Sequence, residues 1–472
     1  MASEAELQQF YIGQDISTVP KPAAILDLAI IRRHCRDMLQ TISQLNVGFR
    51  AHIKSHKTTQ LAHLQVSTSP TLAANFIVST ILELETLLPL LQLFKTQSRP
   101  FNVLYGIPLV PSHVPRLADI ALHLSVPGSI SVMIDHPAQL EHLHQFRSIA
   151  NFAVGVFLKI DTGYHRAGLP PAALNKSGLV ERIVDAERSG AVELLGVYSH
   201  SSLSYAGTTP EEAMMHLVRE IEGCKDALRL HANLLSSDKG REVVISVGAT
   251  PQVLSSRYLV LPNGEESPEA AALRKALRVQ DISSSLRGRI EFHAGVYPLL
   301  DMQQWSTNAS TSSSISAPLR NSSLETEVAI SILAEVCSIY NDGKRQPPEA
   351  LLAAGTLALG REPCASYPGW GVISSWRRQT LSDTESRLIV ARISQEHAIV
   401  SYESGGDERI PLSVGQMVKI FPNHACVAGA FYNHYFVIDS DHDPDAAKIV
   451  DVWVRAKGSD EITRRVLHSR NQ

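Results

Sequence analysis

A chain of 472 residues, 44% apolar and 19% charged, has a globular composition and enough length for two domains. Its net charge of −4 and the absence of any dense Lys/Arg stripe argue against nucleic acid or an anionic membrane as its partner. Its five cysteines (Cys35, Cys224, Cys337, Cys364, Cys426) are scattered without C-x-x-C spacing, which argues against a disulfide framework and for a reducing compartment.

The first fifteen residues are polar and partly acidic, with no apolar core of a signal peptide. No later run reaches the roughly 20 apolar residues that span a bilayer, and the tail matches no retention or lipidation signal. A cytoplasmic setting is therefore expected, and the sequons at Asn308 and Asn321 are read as chance. From about residue 24 to 300, short β-rich runs alternate with helical stretches. Residues 26–45 have apolar side chains at helical spacing, followed by a strand-like run at 47–53. The helical pattern at 81–93 contains Pro89, an expected break, and a strand begins at 102–104. Further strands are expected at 129–134, 152–160, 194–199 and 243–247, with helices at 137–149 and 210–234.

This alternation predicts an α/β fold with a parallel sheet, best satisfied at this length by a (β/α)8 TIM-like barrel. An open doubly wound sheet fits the pattern too, although no Gly-rich dinucleotide fingerprint supports one. The polar stretch 262–270 reads as a surface insertion, and the Ser/Thr/Asn-rich stretch 306–324 as a linker or insertion. Strand-like runs at 327–340, 387–393, 398–402, 417–421, 435–438 and 449–454 then predict a C-terminal all-β domain. The expected division is a barrel over 20–305, a linker over 306–324 and a β domain over 325–472, which residues 1–19 are free to join.

Six segments carry candidate chemistry. Arg50-Ala-His-Ile-Lys-Ser-His-Lys57 packs five basic or imidazole side chains into eight residues. Continued as a strand, it would point Arg50, His52, Lys54 and His56 to one face, at the barrel mouth where active sites lie. Crowded cations suppress the ammonium form of a lysine and make it a nucleophile and base. A solvated basic turn is the plainer alternative. Asp161-Thr-Gly-Tyr-His-Arg-Ala-Gly168 and Gly196-Val-Tyr-Ser-His-Ser-Ser-Leu-Ser-Tyr205 both follow apolar strands. Ser246-Val-Gly248-Ala-Thr250-Pro is a small-residue turn whose N–H groups and hydroxyl suit a phosphate. Glu291-Phe-His-Ala-Gly-Val-Tyr297 is followed by Asp301. In the β domain, Pro422-Asn-His424-Ala-Cys426 puts imidazole and thiol at i and i+2, which on an extended segment face the same way and can share one Zn²⁺.

Taken together, these segments resemble the D-serine dehydratase/D-threonine aldolase family of alanine racemase-like, fold-type III pyridoxal-phosphate enzymes. Lys54 sits in the family's R-P-H-x-K-T-H-K motif, with Ala51 and Ser55 as departures. The resemblance implies a barrel followed by a β domain, a homodimer, and pyridoxal 5'-phosphate joined to Lys54 as a Schiff base. It implies Arg166 near the cofactor's phenolic oxygen, His200 and Tyr205 beside the ring, and Gly248, Thr250 and Tyr297 at the phosphate; Val296 departs from the commoner Asn. It also makes His424 and Cys426 ligands of Zn²⁺. P-N-H-x-C is typical of the zinc-dependent, eukaryotic-type dehydratases of D-serine, and thiolate favours zinc. Gln395-Glu-His397 resembles an E-E-H segment that would line the same cleft, and Gly355 and Trp370-Gly371 resemble family turns. The implied activity is elimination of water and ammonia from D-serine, with Lys54 taking the α-proton and zinc assisting loss of the β-hydroxyl. Cleavage of D-threonine, dehydration of D-threo-3-hydroxyaspartate, and a non-catalytic role in pyridoxal-phosphate homeostasis are the competing readings. A small D-amino acid is the expected substrate.

Overall fold

Eight parallel strands close on themselves in the computed structural model, which describes residues 2–235, 240–261, 266–278, 281–309, 323–376, 387–406 and 408–457. They are β1 (Gly48–His52), β2 (Ala74–Val78), β3 (Phe101–Pro108), β4 (Ile130–Ile134), β5 (Val154–Lys159), β6 (Val192–Tyr198), β7 (Arg241–Val247) and β8 (Leu286–Ala294). Each pairs in parallel with the next, and β8 pairs back onto β1. That closure removes both sheet edges and excludes the open doubly wound alternative. The strands read as continuous apolar runs because both faces are covered; β4 and β5 are buried at every position.

The helices between strands bury one stripe each. Val114–Leu124 hides Val114, Leu117, Ala118, Ala121 and Leu124, spaced by three and four residues. Pro89 does not break its helix, contrary to expectation: Ile81–Thr96 runs through it. An interior proline costs about 3 kcal/mol. Leu84, Leu87, Leu90, Leu91 and Phe94 are buried along the same helix, at roughly 1.5–3 kcal/mol each, and outweigh that cost.

A second closed sheet is made of six antiparallel strands, Ile330–Tyr340, Glu349–Leu352, Gly371–Ser375, Leu388–Ile393, Ala398–Tyr402 and Met417–Pro422. Ala23–Asp27 joins this sheet beside Ile330–Tyr340 and is followed by His434–Ile438 and Asp451–Val454. The chain accordingly groups into two compact units: Met38–Gly295 with the barrel, and Met1–Asp37 together with Val296–Lys457. The chain passes between the two units at 37/38 and 295/296. Ala23–Asp27 finds its partners in the β unit, a pairing that a five-residue apolar run does not disclose. Ile16 and Val19 are buried in the same core as Ile25, Leu333 and Phe436, so the N-terminal segment belongs to the β unit. Of the two expected insertions, residues 262–265 and 310–322 lie outside the described residues.

Candidate active site

Strands β5, β6, β7, β8 and β1 are successive neighbours in the closed sheet, and the candidate barrel residues follow their C-terminal ends. β1 ends at His52 and the chain turns, so the period of two does not extend to His56. The His56 imidazole is buried against the Thr58 hydroxyl (3.1 Å) and the Gln65 amide oxygen (2.9 Å), a structural role. Lys57 pairs with Glu83 at 3.0 Å. Arg50 points into the barrel: its Nε donates to Glu291 Oε1 at 2.7 Å and its Nη1 to Asn102 Oδ1 at 2.6 Å. Of the four side chains expected on one face, His52 and Lys54 remain at the mouth.

The backbone N–H of Lys54 donates to His52 Nδ1 at 3.4 Å. His200 donates from Nδ1 to the Gly248 carbonyl at 2.7 Å, because a carbonyl can only accept. Its ring lies 5.7 Å from that of His293, which stacks on Tyr198 at 4.3 Å. Burial, then the charge of Lys54, hold His52 and His200 well below the usual imidazole value; Arg166 adds to the effect at His200. Burial, then its histidine neighbours, do the same to His293. Neutral His200, with its proton on Nδ1, presents Nε2 as an acceptor. Arg166 itself is exposed, its guanidinium 5.3 Å from the centre of the Tyr164 ring. Thr162 and Ser199 share a hydrogen bond of 2.8 Å that joins the β5 and β6 loops. Tyr205 is half-buried on the short turn Leu203–Ala206, and Thr250 is buried at the start of the helix Thr250–Ser255.

The Gly248 turn differs in detail from its sequence reading. Its N–H is not exposed for an anion but donates to Glu220 Oε2 at 3.0 Å. Gly248 has φ +133°, and a Cβ there would stand 2.8 Å from the His293 carbonyl oxygen, so only glycine fits. His293 Nε2 is buried and has no hydrogen-bond partner among the described residues. A buried, unpartnered imidazole nitrogen on His293, beside the His200 ring and close to the His52–Lys54 corner, is a polar group left for a heteroaromatic aldehyde such as pyridoxal phosphate.

Tyr297 and the His424–Cys426 pair belong to the other unit. Tyr297 is fully buried beside Cys35, whose thiol burial pushes up to about 12. Pro422 ends a strand, and Asn423 anchors the loop by donating to the carbonyls of Glu362 and Gly369, both at 2.8 Å. His424 is extended and caps the helix Ala425–Ala430, so Cys426 sits in a helical turn and not on a strand. The pairing of the two side chains arises from that turn, held because Asp301 Oδ2 accepts the Ala425 N–H at 2.8 Å. Burial lowers the His424 pKa, but the Cys426 side chain, Asp301 and Glu362 outweigh it and push it up to about 9. Glu362 Oε2 lies 3.7 Å from His424 Nδ1, a buried nitrogen with no hydrogen-bond partner among the described residues. Nitrogen and sulfur donors beside two carboxylates fit a zinc ion. Among the described residues no group of three or more His, Cys, Asp or Glu is arranged around a metal position. Gln395, Glu396 and His397 form an exposed turn between two strands. A Cβ on Gly355 would collide with backbone at Ser394 and Gln395, and Gly371 begins a strand instead of a turn.

Sequence reasoning missed Glu220, Lys159, Tyr198 and the role of His293. Tyr198 and His293 stand within segments already singled out and share their strand face, a signal that periodicity could have used. Glu220 lies mid-helix in Pro210–Leu230 with no local signature.

Residues 26–254 match the family described as "Alanine racemase, N-terminal domain", and 329–438 match "Putative serine dehydratase domain". The chain is 30% identical over 462 residues to the D-serine dehydratase of Schizosaccharomyces pombe, covering 97% of this chain and 96% of that one. It belongs to the alanine racemase-like, fold-type III dehydratase/aldolase family of pyridoxal-phosphate enzymes. Another member, the D-serine dehydratase of Saccharomyces cerevisiae, is 28% identical over 94% of this chain and 97% of its own. Among solved structures, the D-threo-3-hydroxyaspartate dehydratase from Delftia sp. HT23 superposes with a TM-score of 0.69 at 25% identity, covering 94% of this chain and all of that one. As a fold-type III family member, the chain is a lyase-type enzyme with a pyridoxal-phosphate site, acting on a small D-amino-acid-like substrate. No helix among the described residues is long and apolar enough to cross a membrane.

Proposed function

We propose that this enzyme is a zinc-dependent D-serine dehydratase, releasing pyruvate and ammonia. The carrying observation is the His424–Cys426 pair amid carboxylates, in a chain matched almost end to end by D-serine dehydratases. When bound, pyridoxal phosphate supplies an electron sink for the charge that develops at the substrate's α-carbon. Lys54 Nζ removes the α-proton, working beside His52 and His200, whose neutrality keeps further positive charge off the mouth. His200 Nε2 accepts a hydrogen bond, and Arg166 supplies the fixed cation of the β5 loop. Gly248 lets the turn after β7 pack against the His293 backbone, which keeps the His200 and His293 rings together at the mouth. His424 and Cys426 would hold zinc, which would polarise the β-hydroxyl as a Lewis acid. A cytoplasmic homodimer completes the proposal.

The test is incubation of purified, zinc-supplemented enzyme with D-serine, D-threo-3-hydroxyaspartate and D-threonine, following keto acid and ammonia. Pyruvate from D-serine, lost with a chelator and restored by zinc, is the expected result. Oxaloacetate from hydroxyaspartate with little pyruvate, or glycine from D-threonine without keto acid, would overturn the substrate assignment. Turnover unaffected by exhaustive chelation would overturn the zinc assignment.

A further inference from the structure

Glu220 is buried to 1% exposure on the helix Pro210–Leu230, outside every motif the family resemblance supplied. A carboxylate in such a place is costly unless its oxygens are satisfied. Here Oε2 accepts the Gly248 N–H at 3.0 Å and Oε1 accepts the Gln252 side-chain amide at 3.4 Å, while the Ser201 backbone amide faces the carboxylate and helps hold its pKa down. The groups around the carboxylate come from two different loops: Gly248 and Gln252 follow β7, whereas Ser201 adjoins His200 after β6. The same two loops meet a second time, where His200 Nδ1 donates to the Gly248 carbonyl at 2.7 Å. Both ends of the Gly248 unit are therefore committed within the protein, N–H to Glu220 and carbonyl to His200.

We propose that Glu220 is a positioning residue for the cofactor, clamping the Gly248 turn and the His200 loop into one rigid unit that holds the phosphate and ring ends in register. The inference deepens the pyridoxal-phosphate reading of the barrel mouth and rests on it. Glu220 acts through Gly248 and His200 and does not itself supply a cofactor contact. Lys159 from β5 provides the compensating positive charge, with Tyr198 from β6 and Cys224 from its own helix facing the carboxylate. Burial nevertheless raises Glu220 to about 7, so the clamp stands near its own titration point.

Glu220→Gln keeps the volume but sets an amide NH₂ against N–H donors, leaving at least one unsatisfied. The experiment titrates pyridoxal phosphate into cofactor-free wild type, Lys54→Ala, Glu220→Gln and Gln252→Met, reading the visible absorbance and circular dichroism of the lysine-bound cofactor. Glu220→Gln is expected to weaken cofactor affinity by about tenfold or more and to change the visible dichroism, with the melting point of the cofactor-free protein little altered. Gln252→Met, which removes only the longest contact, is expected to weaken it by less than about threefold. Unchanged affinity and dichroism in Glu220→Gln would overturn the clamp, as would an affinity loss fully matched by lost stability of the cofactor-free protein. Should that variant fail to fold, amide exchange of the wild type decides: Gly248 and Ser201 are expected to be protected together, and exchange at free-loop rates would overturn the proposal. Wild type that never acquires the lysine-bound absorbance, or Lys54→Ala that acquires it fully, would overturn the cofactor reading itself; colour in the wild type with a silent Glu220→Gln overturns the clamp alone.

Discussion

The barrel mouth and the His424–Cys426 loop solve the same problem, holding reactive side chains in a fixed geometry, by different means. At the mouth, His52 ends a strand and Lys54 follows it, His200 and Gly248 cross-brace two loops, and the polar interior below is knitted by Arg50, Glu291 and Asn102. In the β unit the pair sits on one loop, and its rigidity is borrowed from distant groups: Asp301 holds the Ala425 N–H and Asn423 holds the Glu362 and Gly369 carbonyls. The electrostatics are opposite as well. The mouth pushes its imidazoles down to neutrality, whereas the loop pushes His424 up, giving one environment that resists extra positive charge and one that attracts it.

Substitutions can break this comparison at either end. The largest effect is expected for Lys54→Ala, with turnover down by roughly 10³-fold or more and the lysine-bound absorbance lost, while metal content measured by atomic absorption stays the same. Metal loss in that variant would mean the two regions are not independent. Arg50→Met leaves Glu291 buried and unpaired, and should destabilise the protein by about 3–5 kcal/mol in urea unfolding. A change below about 1 kcal/mol would show that the interior network contributes little to the mouth's rigidity. Cys426→Ala is expected to keep full cofactor absorbance while turnover falls by roughly 10²-fold, the mirror image of the lysine variant.

The smallest effect expected is in the pH dependence of stability of the cofactor-free barrel. His52, His200 and His293 have folded pKa values below 6.5, so each binds its proton more readily unfolded, and their stabilisation is present above 6.5 and lost as pH falls. Glu220, raised from 4.5 to about 7, acts in the opposite sense over 4.5 to 7. Three histidines against one carboxylate leave acidification destabilising, and thermal melts from pH 7 downward should show a falling midpoint. A midpoint that rises on acidification would mean the imidazoles are charged in the native state.

The sequence alone was sufficient for the strand–helix alternation and the β-rich C-terminal third, because each is a local signal of period, whereas the choice of Lys54 over Lys57 rests on a motif resemblance and remains a proposal. Most predicted strands lie within a few residues of their structural bounds. Tertiary structure decided what depends on remote partners. Pro89 stays helical because five apolar side chains on that helix are buried. His56 leaves the predicted face because β1 ends at His52 and Thr58 and Gln65 capture the ring. Cys426 meets His424 through a helical turn that Asp301, 124 residues upstream of Ala425, holds in place. Glu220 carries no signature, since a mid-helix glutamate becomes a clamp only when closure of the barrel brings the loops after β6 and β7 to its carboxylate. Period and composition are properties of neighbours along the chain, whereas burial, charge compensation and hydrogen-bond partners are properties of neighbours in space.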